Sequence, residues 1–226
     1  MNHNYTDTLN FDYSMAEEHQ SSHHRIYLAV KRGFDIVSSL CGLILLSPVF
    51  LLLAIIVYVG DPGPVFYAHE RLGKNGKTIR IWKFRSMYMN ADEMFENFTK
   101  AQKEEYYREF KLENDPRITP VGKFLRKSSL DELPQLLNIL KGDLSLVGPR
   151  PIVENELDKY GMLAAKFLSV TPGLTGYWQA HGRNEISYEN GRQKMELYYV
   201  DHQSIRLDVS IIFLTFVAVF RGKGAK

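Results

Sequence analysis

The sequence predicts a helix-rich, mixed α/β protein that combines a kinked apolar helix with a small domain built on a β-hairpin and amphipathic interfacial helices. Three observations predict it. Residues 36–60 form a long uncharged run, Asn75-Gly76 separates two apolar-rich stretches, and leucines recur at helical spacing between Leu130 and Leu140. A long apolar run is typical of a membrane helix, Asn-Gly is a hairpin signal, and a 3.6-residue repeat indicates an amphipathic helix.

Composition excludes several classes of protein. The 226 residues allow one large or two small domains with a sizeable core. This length fits neither a mini-protein nor a long repeat array. Lys and Arg number 28 and Asp and Glu 26, so the net charge of +2 is too balanced to indicate a nucleic-acid binder. Cys41 is the single cysteine, which excludes an internal disulfide framework and a multi-cysteine metal site.

The polar start of the chain is interpreted as a flexible extension. It lacks the basic start, apolar run and cleavage site of a signal peptide. Residues 1–30 are assigned to this N-terminal extension and residues 31–226 to the folded domain.

The run 36–60 contains no charged side chain and is long enough to enter a membrane. As a helix it would measure about 38 Å, and a globular core rarely needs a helix so apolar on every face. Ser47-Pro48 lies in its middle, where proline favours a kink. Basic residues flank both ends, which places both flanks on the cytoplasmic side if the helix turns back. Sequence physics leaves a re-entrant helix and a straight span equally open.

Residues 61–86 are predicted to form a β-hairpin around Asn75-Gly76, because this pair tolerates positive φ at both turn positions. Side chains two apart share one face of a strand, so Lys83 and Arg85 would project together. They fit a phosphate site and a basic rim beneath a membrane segment equally well.

Further helices are predicted downstream. Residues 91–112 are interpreted as one amphipathic surface helix without chemistry, and residues 153–167 as another helix. Residues 209–220 are apolar but only about 18 Å long as a helix, too short to span a membrane. This segment either packs in the core or lies at the membrane interface.

Asp131 and Glu132 form the sharpest candidate site. One interpretation is a capping box with Ser129 as N-cap and Glu132 reaching back to it. Pro134 counts against this, since its missing N–H would fall inside the helix. A simple N-cap at Asp131 remains open, because Pro134 would then lie in the first turn.

The functional interpretation of the two carboxylates is phosphoryl chemistry. Consecutive helical residues point about 100° apart, so the pair cannot readily face each other across a glycosidic bond. One carboxylate can instead attack phosphorus while the other holds Mg²⁺. The non-reacting oxygens need cations, for which the candidates are Arg126, Arg150, Lys83 and Arg85. Prolines on both sides of Arg150 restrict its backbone.

The order of these features is more specific than any one of them. The apolar segment, the hairpin ending KFRSM, the run RKSSLDELPQLLNILKGDLSLVGPRP and then TPGLTGYWQAHGRN resemble the bacterial sugar transferase family, the monotopic phosphoglycosyl transferases. The resemblance covers residues 31–225.

This resemblance implies an activity. Such enzymes transfer a sugar 1-phosphate from a UDP-sugar to undecaprenyl phosphate and release UMP, which initiates surface glycan synthesis. By motif position Asp131 matches the nucleophile that forms a covalent phospho-sugar intermediate, and Glu132 matches its Mg²⁺-binding partner, with Asp131 beside the metal. Arg126 and Arg150 match phosphate-binding arginines.

The resemblance also implies a location. The family's re-entrant helix breaks at a Ser-Pro pair, which matches Ser47 and Pro48 and favours a chain held in the bacterial inner membrane with its catalytic domain on the cytoplasmic face. Its expected partners are the two substrates and membrane lipid, with no nucleic acid and a possible homo-oligomer or downstream glycosyltransferases. The alternative function is a non-catalytic membrane scaffold for polysaccharide assembly. Among family members with this layout, the resemblance leaves both galactose and glucose 1-phosphate open as the transferred group.

Overall fold

The computed structural model describes residues 22–109, 112, 114–182, 186–188 and 190–220. This part of the chain is helix-rich α/β, as predicted, with two small two-stranded sheets. Its helices are α1 Ser22–Leu45, α2 Ser47–Gly60, α3 Ala91–Glu96, α4 Lys100–Glu109, α5 Pro120–Ser128, α6 Gln135–Lys141, α7 Ala164–Leu168, α8 Tyr177–His181, α9 Arg192–Asp201 and α10 Ile205–Phe220. Its strands are β1 Phe66–Leu72, β2 Thr78–Phe84, β3 Ser145–Val147 and β4 Gly173–Thr175.

Helices α1 and α2 form a bent pair. They meet at Leu46 with an angle of 62°, and Pro48 lies in the first turn of α2, where its missing N–H costs no intrahelical bond. The predicted kink at Ser47-Pro48 is therefore confirmed. Helix α1 begins at Ser22, so residues 22–30, part of the N-terminal extension assigned from the sequence, are helical; residues 1–21 lie outside the described residues.

The length of the bent pair and its exposed apolar surface both bear on membrane insertion. No single helix in the described ranges is both long and apolar enough to cross a bilayer, but the bent pair His24–Leu45 with Ser47–Gly60 meets that requirement when taken together. Much of its surface is apolar and exposed, including Leu45 at 76% and Val59 at 74%. Side chains this apolar and this exposed need a covering other than water.

The inner face of α2 fastens the pair to the domain. Leu53 and Val57 are buried against Phe84 at the end of β2 and Leu125 of α5. The N-terminal half of α1 is anchored by a different contact. Lys31 Nζ lies 2.8 Å from Asp208 Oδ2 on α10. The bent pair is thus anchored at both of its ends.

Strands β1 and β2 form the predicted antiparallel hairpin. Phe66 pairs with Phe84 at the open end, and Asn75 and Gly76 have φ values of 56° and 72° at the turn. The expected positive φ at Asn75 and Gly76 is confirmed, but the loop between the last paired residues, Leu72 and Thr78, has five residues and contains a 3-10 turn over Lys74–Gly76.

Helix α6 packs across β2. Leu136 and Ile139 bury themselves against Ile79 and Ile81 of the strand. Between these contacts the buried Asn138 binds the strand backbone at two points. Its Oδ1 accepts from Trp82 N at 3.0 Å and its Nδ2 donates to Arg80 O at 2.6 Å.

The predicted single helix over residues 91–112 is wrong, because the chain breaks between α3 and α4. The break lets the aromatic side chains fold back on each other around a cation. Arg117 lies over the rings of Phe95, Phe98 and Tyr106 at 5.0 to 5.4 Å. Residues 110 and 111 of the predicted helix lie outside the described residues.

Two other predicted helices also differ. The segment predicted as helix 153–167 is a 3-10 helix over Glu154–Leu163 that kinks at Gly161, followed by α7. Helix α10 begins at Ile205 and has two different faces. Ile211 is fully buried, whereas Phe213 and Phe216 are exposed, so this helix packs on the core along one side only.

The second sheet is held together by close backbone contact. Strands β3 and β4 are parallel, with Ser145 paired to Gly173 and Val147 to Thr175. A Cβ built on Gly173 would lie 2.1 Å from Gly148 N, so this position requires a glycine. The close approach places the loop that follows Gly148, and therefore Arg150, directly beside β4.

Candidate active site

Asp131 and Glu132 lie on a tight turn between two helices. Ser129 ends α5 with a left-handed φ of 58°, and Leu130–Glu132 form a 3-10 turn before α6 begins at Gln135. Neither Ser129 nor Asp131 caps a helix with its side chain, so both capping interpretations are wrong. Pro134 directly precedes α6, where no intrahelical bond needs its N–H.

Asp131 is a buried carboxyl, with 6% of its surface exposed. Burial raises its pKa above that of an ordinary aspartate, and the neighbouring Glu132 raises it further. Lys83 and Arg126 act in the opposite direction and favour the charged form. Asp131 is therefore a desolvated carboxyl with two cations close to it.

Glu132 points toward the hairpin. Its Oε1 lies 2.8 Å from Lys83 Nζ, and the two side chains are 16% and 25% exposed. Strand β2 brings Lys83 to this position because Asn138, two turns along from the carboxylates, fixes β2 onto α6. The ion pair joins the hairpin to the turn that carries both carboxylates.

Arg126 approaches Asp131 from α5. Its guanidinium is largely buried, where its Nε donates to Ser86 Oγ at 2.9 Å, and its charge acts on Asp131. The predicted placement of this arginine beside the dyad therefore agrees with the structure.

Arg85 lies elsewhere. Its guanidinium donates to the backbone carbonyl of Asp61, directly after α2, and its Nη2 lies 3.6 Å from Asp61 Oδ2. The expectation that Lys83 and Arg85 project together is wrong, because β2 ends at Phe84 and the chain turns away. Arg85 fastens the exit of the bent helix pair, whereas Lys83 reaches the dyad.

A cleft opens on the Glu132 side of the dyad. It contains three cationic side chains, one carboxylate and two neutral polar groups. These polar lining residues are His69, Arg71, Lys83, Glu132, Gln135 and Arg150. The structure thus brings Lys83 and Arg150 together with Glu132, as predicted, and adds His69, Arg71 and Gln135, which were not predicted from the sequence.

Two buried acids bind the two arginines of the cleft, one through its backbone N–H and the other through its guanidinium. Glu196 Oε2 accepts from Arg150 N at 3.1 Å, and Glu156 Oε1 lies 3.0 Å from Arg71 Nη1. Glu196 is fully buried, and burial raises its pKa to about 7. No motif marks these acids, since they come from separate helices that only the tertiary fold brings together.

His69 is half-buried beside Arg71 in the same cleft. Its Nδ1 lies 3.1 Å from Arg71 Nη2. Burial lowers the pKa of His69 to about 4, and the positive charge of Arg71 contributes to that shift. The imidazole is therefore neutral at physiological pH.

The carboxylates of the dyad supply part of the donor set that a metal ion requires. In the described ranges no cluster of three or more His, Cys, Asp or Glu side chains is suited to a metal. The dyad provides two hard carboxylate groups, and Glu132 borders the open cleft. Mg²⁺ is commonly held by one or two carboxylates together with substrate phosphates. The residues present fit that kind of site and do not form a complete protein cage.

Sequence comparisons with known proteins identify the relatives of this chain. The chain matches the family described as Bacterial sugar transferase over residues 26–222. It is 47% identical over 198 residues to the exopolysaccharide production protein ExoY of Sinorhizobium fredii, covering 86% of this chain and 87% of that protein. It is 46% identical to the undecaprenyl-phosphate galactose phosphotransferase of Salmonella typhimurium, covering 87% of this chain but 41% of that protein.

A further relative carries a similar name with a different sugar. The UDP-glucose:undecaprenyl-phosphate glucose-1-phosphate transferase of Escherichia coli is 39% identical over 204 residues, which cover 87% of this chain and 41% of that protein. The family match extends from the first helix to α10 and includes the dyad and its cleft. The chain belongs to the bacterial sugar transferase family.

Proposed function

We propose that this protein transfers a sugar 1-phosphate from a UDP-sugar to undecaprenyl phosphate, releases UMP and thereby initiates synthesis of a surface polysaccharide. The observation that carries the proposal is the buried Asp131 with Lys83 and Arg126 close to it and a cationic cleft alongside. The names of the relatives from Salmonella typhimurium and Escherichia coli support the same substrates.

The first step uses Asp131 as the nucleophile. A carboxylate oxygen attacks the phosphorus that carries the sugar, the bond from that phosphorus to the bridging oxygen breaks, and UMP leaves with the electron pair. The product is an aspartyl phospho-sugar, in which a mixed carboxylic–phosphoric anhydride links Asp131 to the sugar phosphate. Because burial removes water from Asp131, its carboxylate is poorly solvated and therefore reactive once ionised.

The second step returns Asp131 to its starting form. An oxygen of undecaprenyl phosphate attacks the same phosphorus, and the aspartyl oxygen leaves as a carboxylate. Direct reaction would bring two anionic substrates together, whereas covalent capture separates the two encounters. Lys83, Arg126 and Arg150 supply positive charge to the non-reacting phosphate oxygens in both steps.

Mg²⁺ is the cofactor that we propose for this site. Glu132 would hold the ion, with Asp131 beside it, and the substrate phosphates would complete its coordination. When bound, Mg²⁺ would offset the negative charge of the diphosphate. The ion pair with Lys83 holds the carboxylate of Glu132 at the edge of the cleft.

We also propose that the bent helix pair enters and leaves one leaflet of the inner membrane from its cytoplasmic face. The 62° bend and the exposed apolar surface support this arrangement, and α2 packs directly on Phe84, next to Lys83. A polyprenyl phosphate stays in the bilayer while a UDP-sugar stays in solution. An active site fastened beside α2 would meet both at the level of the headgroups.

The re-entrant arrangement predicts the position of both termini. Epitope tags at either end should be protected from an impermeant reagent that is applied from the periplasm. Both tags should become accessible once the inner membrane is permeabilised. A Pro48→Leu change favours a straight helix that spans the membrane. The N-terminal tag should therefore be periplasmic in a fraction of the molecules. Pro120→Leu, at the first turn of α5 in the domain, serves as the matched control. A periplasmic N-terminal tag in the unaltered protein would contradict the proposal.

The experiment that tests the proposed reaction is a substrate screen. Purified protein in lipid nanodiscs is mixed with undecaprenyl phosphate, Mg²⁺ and one UDP-sugar at a time, and UMP is measured. We expect continuous UMP release with at least one UDP-sugar. When the lipid carries no phosphate, release should stop after the single turnover that forms the aspartyl intermediate. Absence of UMP with every UDP-sugar, together with retained binding of polysaccharide-assembly proteins, would support the membrane-scaffold alternative. Homo-oligomers and contacts with downstream glycosyltransferases stay predictions.

A further inference from the structure

The hydrogen bond between His69 and Arg71 determines where the imidazole carries its proton. A guanidinium has only N–H donors, so Arg71 Nη2 donates and His69 Nδ1, 3.1 Å away, accepts with its lone pair. A neutral imidazole with an unprotonated Nδ1 carries its proton on Nε2. His69 therefore presents one N–H donor from a neutral ring.

The orientation of Arg71 is fixed from its other side. Its Nη1 lies 3.0 Å from Glu156 Oε1, and Tyr188 Oη donates to Glu156 Oε2 at 2.7 Å. Glu156 is 4% exposed. A buried carboxylate that is itself fixed by hydrogen bonds from Tyr188 Oη and Val153 N holds the guanidinium still, and the guanidinium in turn fixes the tautomer of His69.

The surroundings of His69 also favour the neutral ring. The charged groups that line the cleft around it or act on it come from β1, β2, the dyad turn, the Gly148 loop and the 3-10 helix that follows. They are Arg71, Lys83, Glu132, Arg150 and Glu156. Three of these are cations and two are carboxylates, both of which are paired with a cation.

We propose that His69 is a specificity-determining residue whose Nε2–H donates a hydrogen bond to a hydroxyl group of the sugar in the UDP-sugar. The proposal rests on the function proposed above. Permanent cations in the same cleft, Lys83 and Arg150, match the phosphate oxygens. A neutral donor beside them matches an uncharged oxygen. The sugar is bonded to the phosphorus that Asp131 attacks, so its hydroxyls lie next to the dyad, in the region that His69 borders.

The test compares three variants in nanodiscs with UDP-galactose, UDP-glucose and UDP-N-acetylgalactosamine as probes. His69→Leu removes the donor, and we expect kcat/KM for the preferred sugar to fall about tenfold while the preference among the three sugars shrinks. His69→Gln retains an N–H donor and should recover most of both. His202→Leu, an exposed histidine at the end of α9, is the matched control and should change neither.

Two further measurements test the hydrogen bond to the sugar and the tautomer of His69 directly. The affinity for UMP alone should be unchanged in His69→Leu, because UMP lacks the sugar that accepts this hydrogen bond. In the unaltered protein, ¹⁵N NMR of His69 should show an unprotonated Nδ1, and Arg71→Met should produce a mixture of tautomers and a reduced sugar preference.

Different outcomes would contradict the proposed role of His69 and the proposed transferase reaction. Unchanged sugar preference in His69→Leu, an equal loss of UMP affinity, or a protonated Nδ1 would overturn the role of His69 while the transferase reaction stands. Absence of UMP release in the unaltered protein would instead overturn the proposed reaction itself.

Discussion

Asp131→Asn should lose both covalent capture of sugar phosphate and transfer to lipid. The amide has nearly the same shape as the carboxylate but no negative charge with which to attack phosphorus, so we expect a loss of about 10⁴-fold or more in transfer. The measurement mixes protein with Mg²⁺ and a UDP-sugar radiolabelled in the sugar, without lipid acceptor. The unaltered protein should retain label after denaturation, and the variant should retain none.

The control for this change is Asp158→Asn, an exposed aspartate outside the cleft, which should capture label as the unaltered protein does. Glu132→Gln tests the second carboxylate. It should raise the Mg²⁺ concentration needed for capture and slow the labelling of Asp131 without abolishing it. Full activity in Asp131→Asn would exclude the covalent mechanism.

The burial of Asp131 gives the same prediction a pH dependence. Because its pKa is raised, the carboxyl stays protonated to a higher pH than an ordinary aspartate, and capture should fall with decreasing pH in a range above about pH 4. Ionised Asp131 also lowers stability at neutral pH, a penalty that disappears below its unfolded pKa. Asp131→Asn should therefore melt at or above the temperature of the unaltered protein at pH 7, which also shows that it is folded.

Asn138→Leu should have the largest effect on stability. The leucine fills a similar volume but leaves the N–H of Trp82 and the C=O of Arg80 without their partner. Each unpaired buried backbone group costs about 1–3 kcal/mol, so we expect the free energy of unfolding to fall by about 2–5 kcal/mol. Thermal or urea unfolding in detergent measures this loss.

Asn138→Leu should also reduce activity, because Asn138 holds β2 against α6 and thereby keeps Lys83 beside Glu132. Transfer should fall at temperatures well below unfolding. Asn97→Leu is the matched control, since the Asn97 side chain is exposed and donates to Glu93 O one turn earlier in the chain. Equal stability of Asn138→Leu and Asn97→Leu would show that the two bonds to β2 contribute nothing.

Local chemistry made two features in the first half of the molecule predictable. The kink at Ser47-Pro48 and the Asn75-Gly76 turn both depend on properties of one or two residues, and both are confirmed. The single helix over residues 91–112 failed because its aromatic side chains prefer to surround Arg117, which lies beyond the segment. A helical pattern does not reveal a contact of that kind.

The sequence by itself determined the bent apolar segment, the hairpin, the adjacent carboxylates and, through its motifs, the family of the protein. Only the tertiary structure decided which cations serve the dyad. Lys83 reaches Glu132 and Arg85 reaches Asp61, although the two are separated by one residue. The anchoring of Arg71 and Arg150 by Glu156 and Glu196 was equally unreadable from the sequence. The physical reason is that these pairs join residues far apart in the chain, and their geometry exists only after helices and strands have packed.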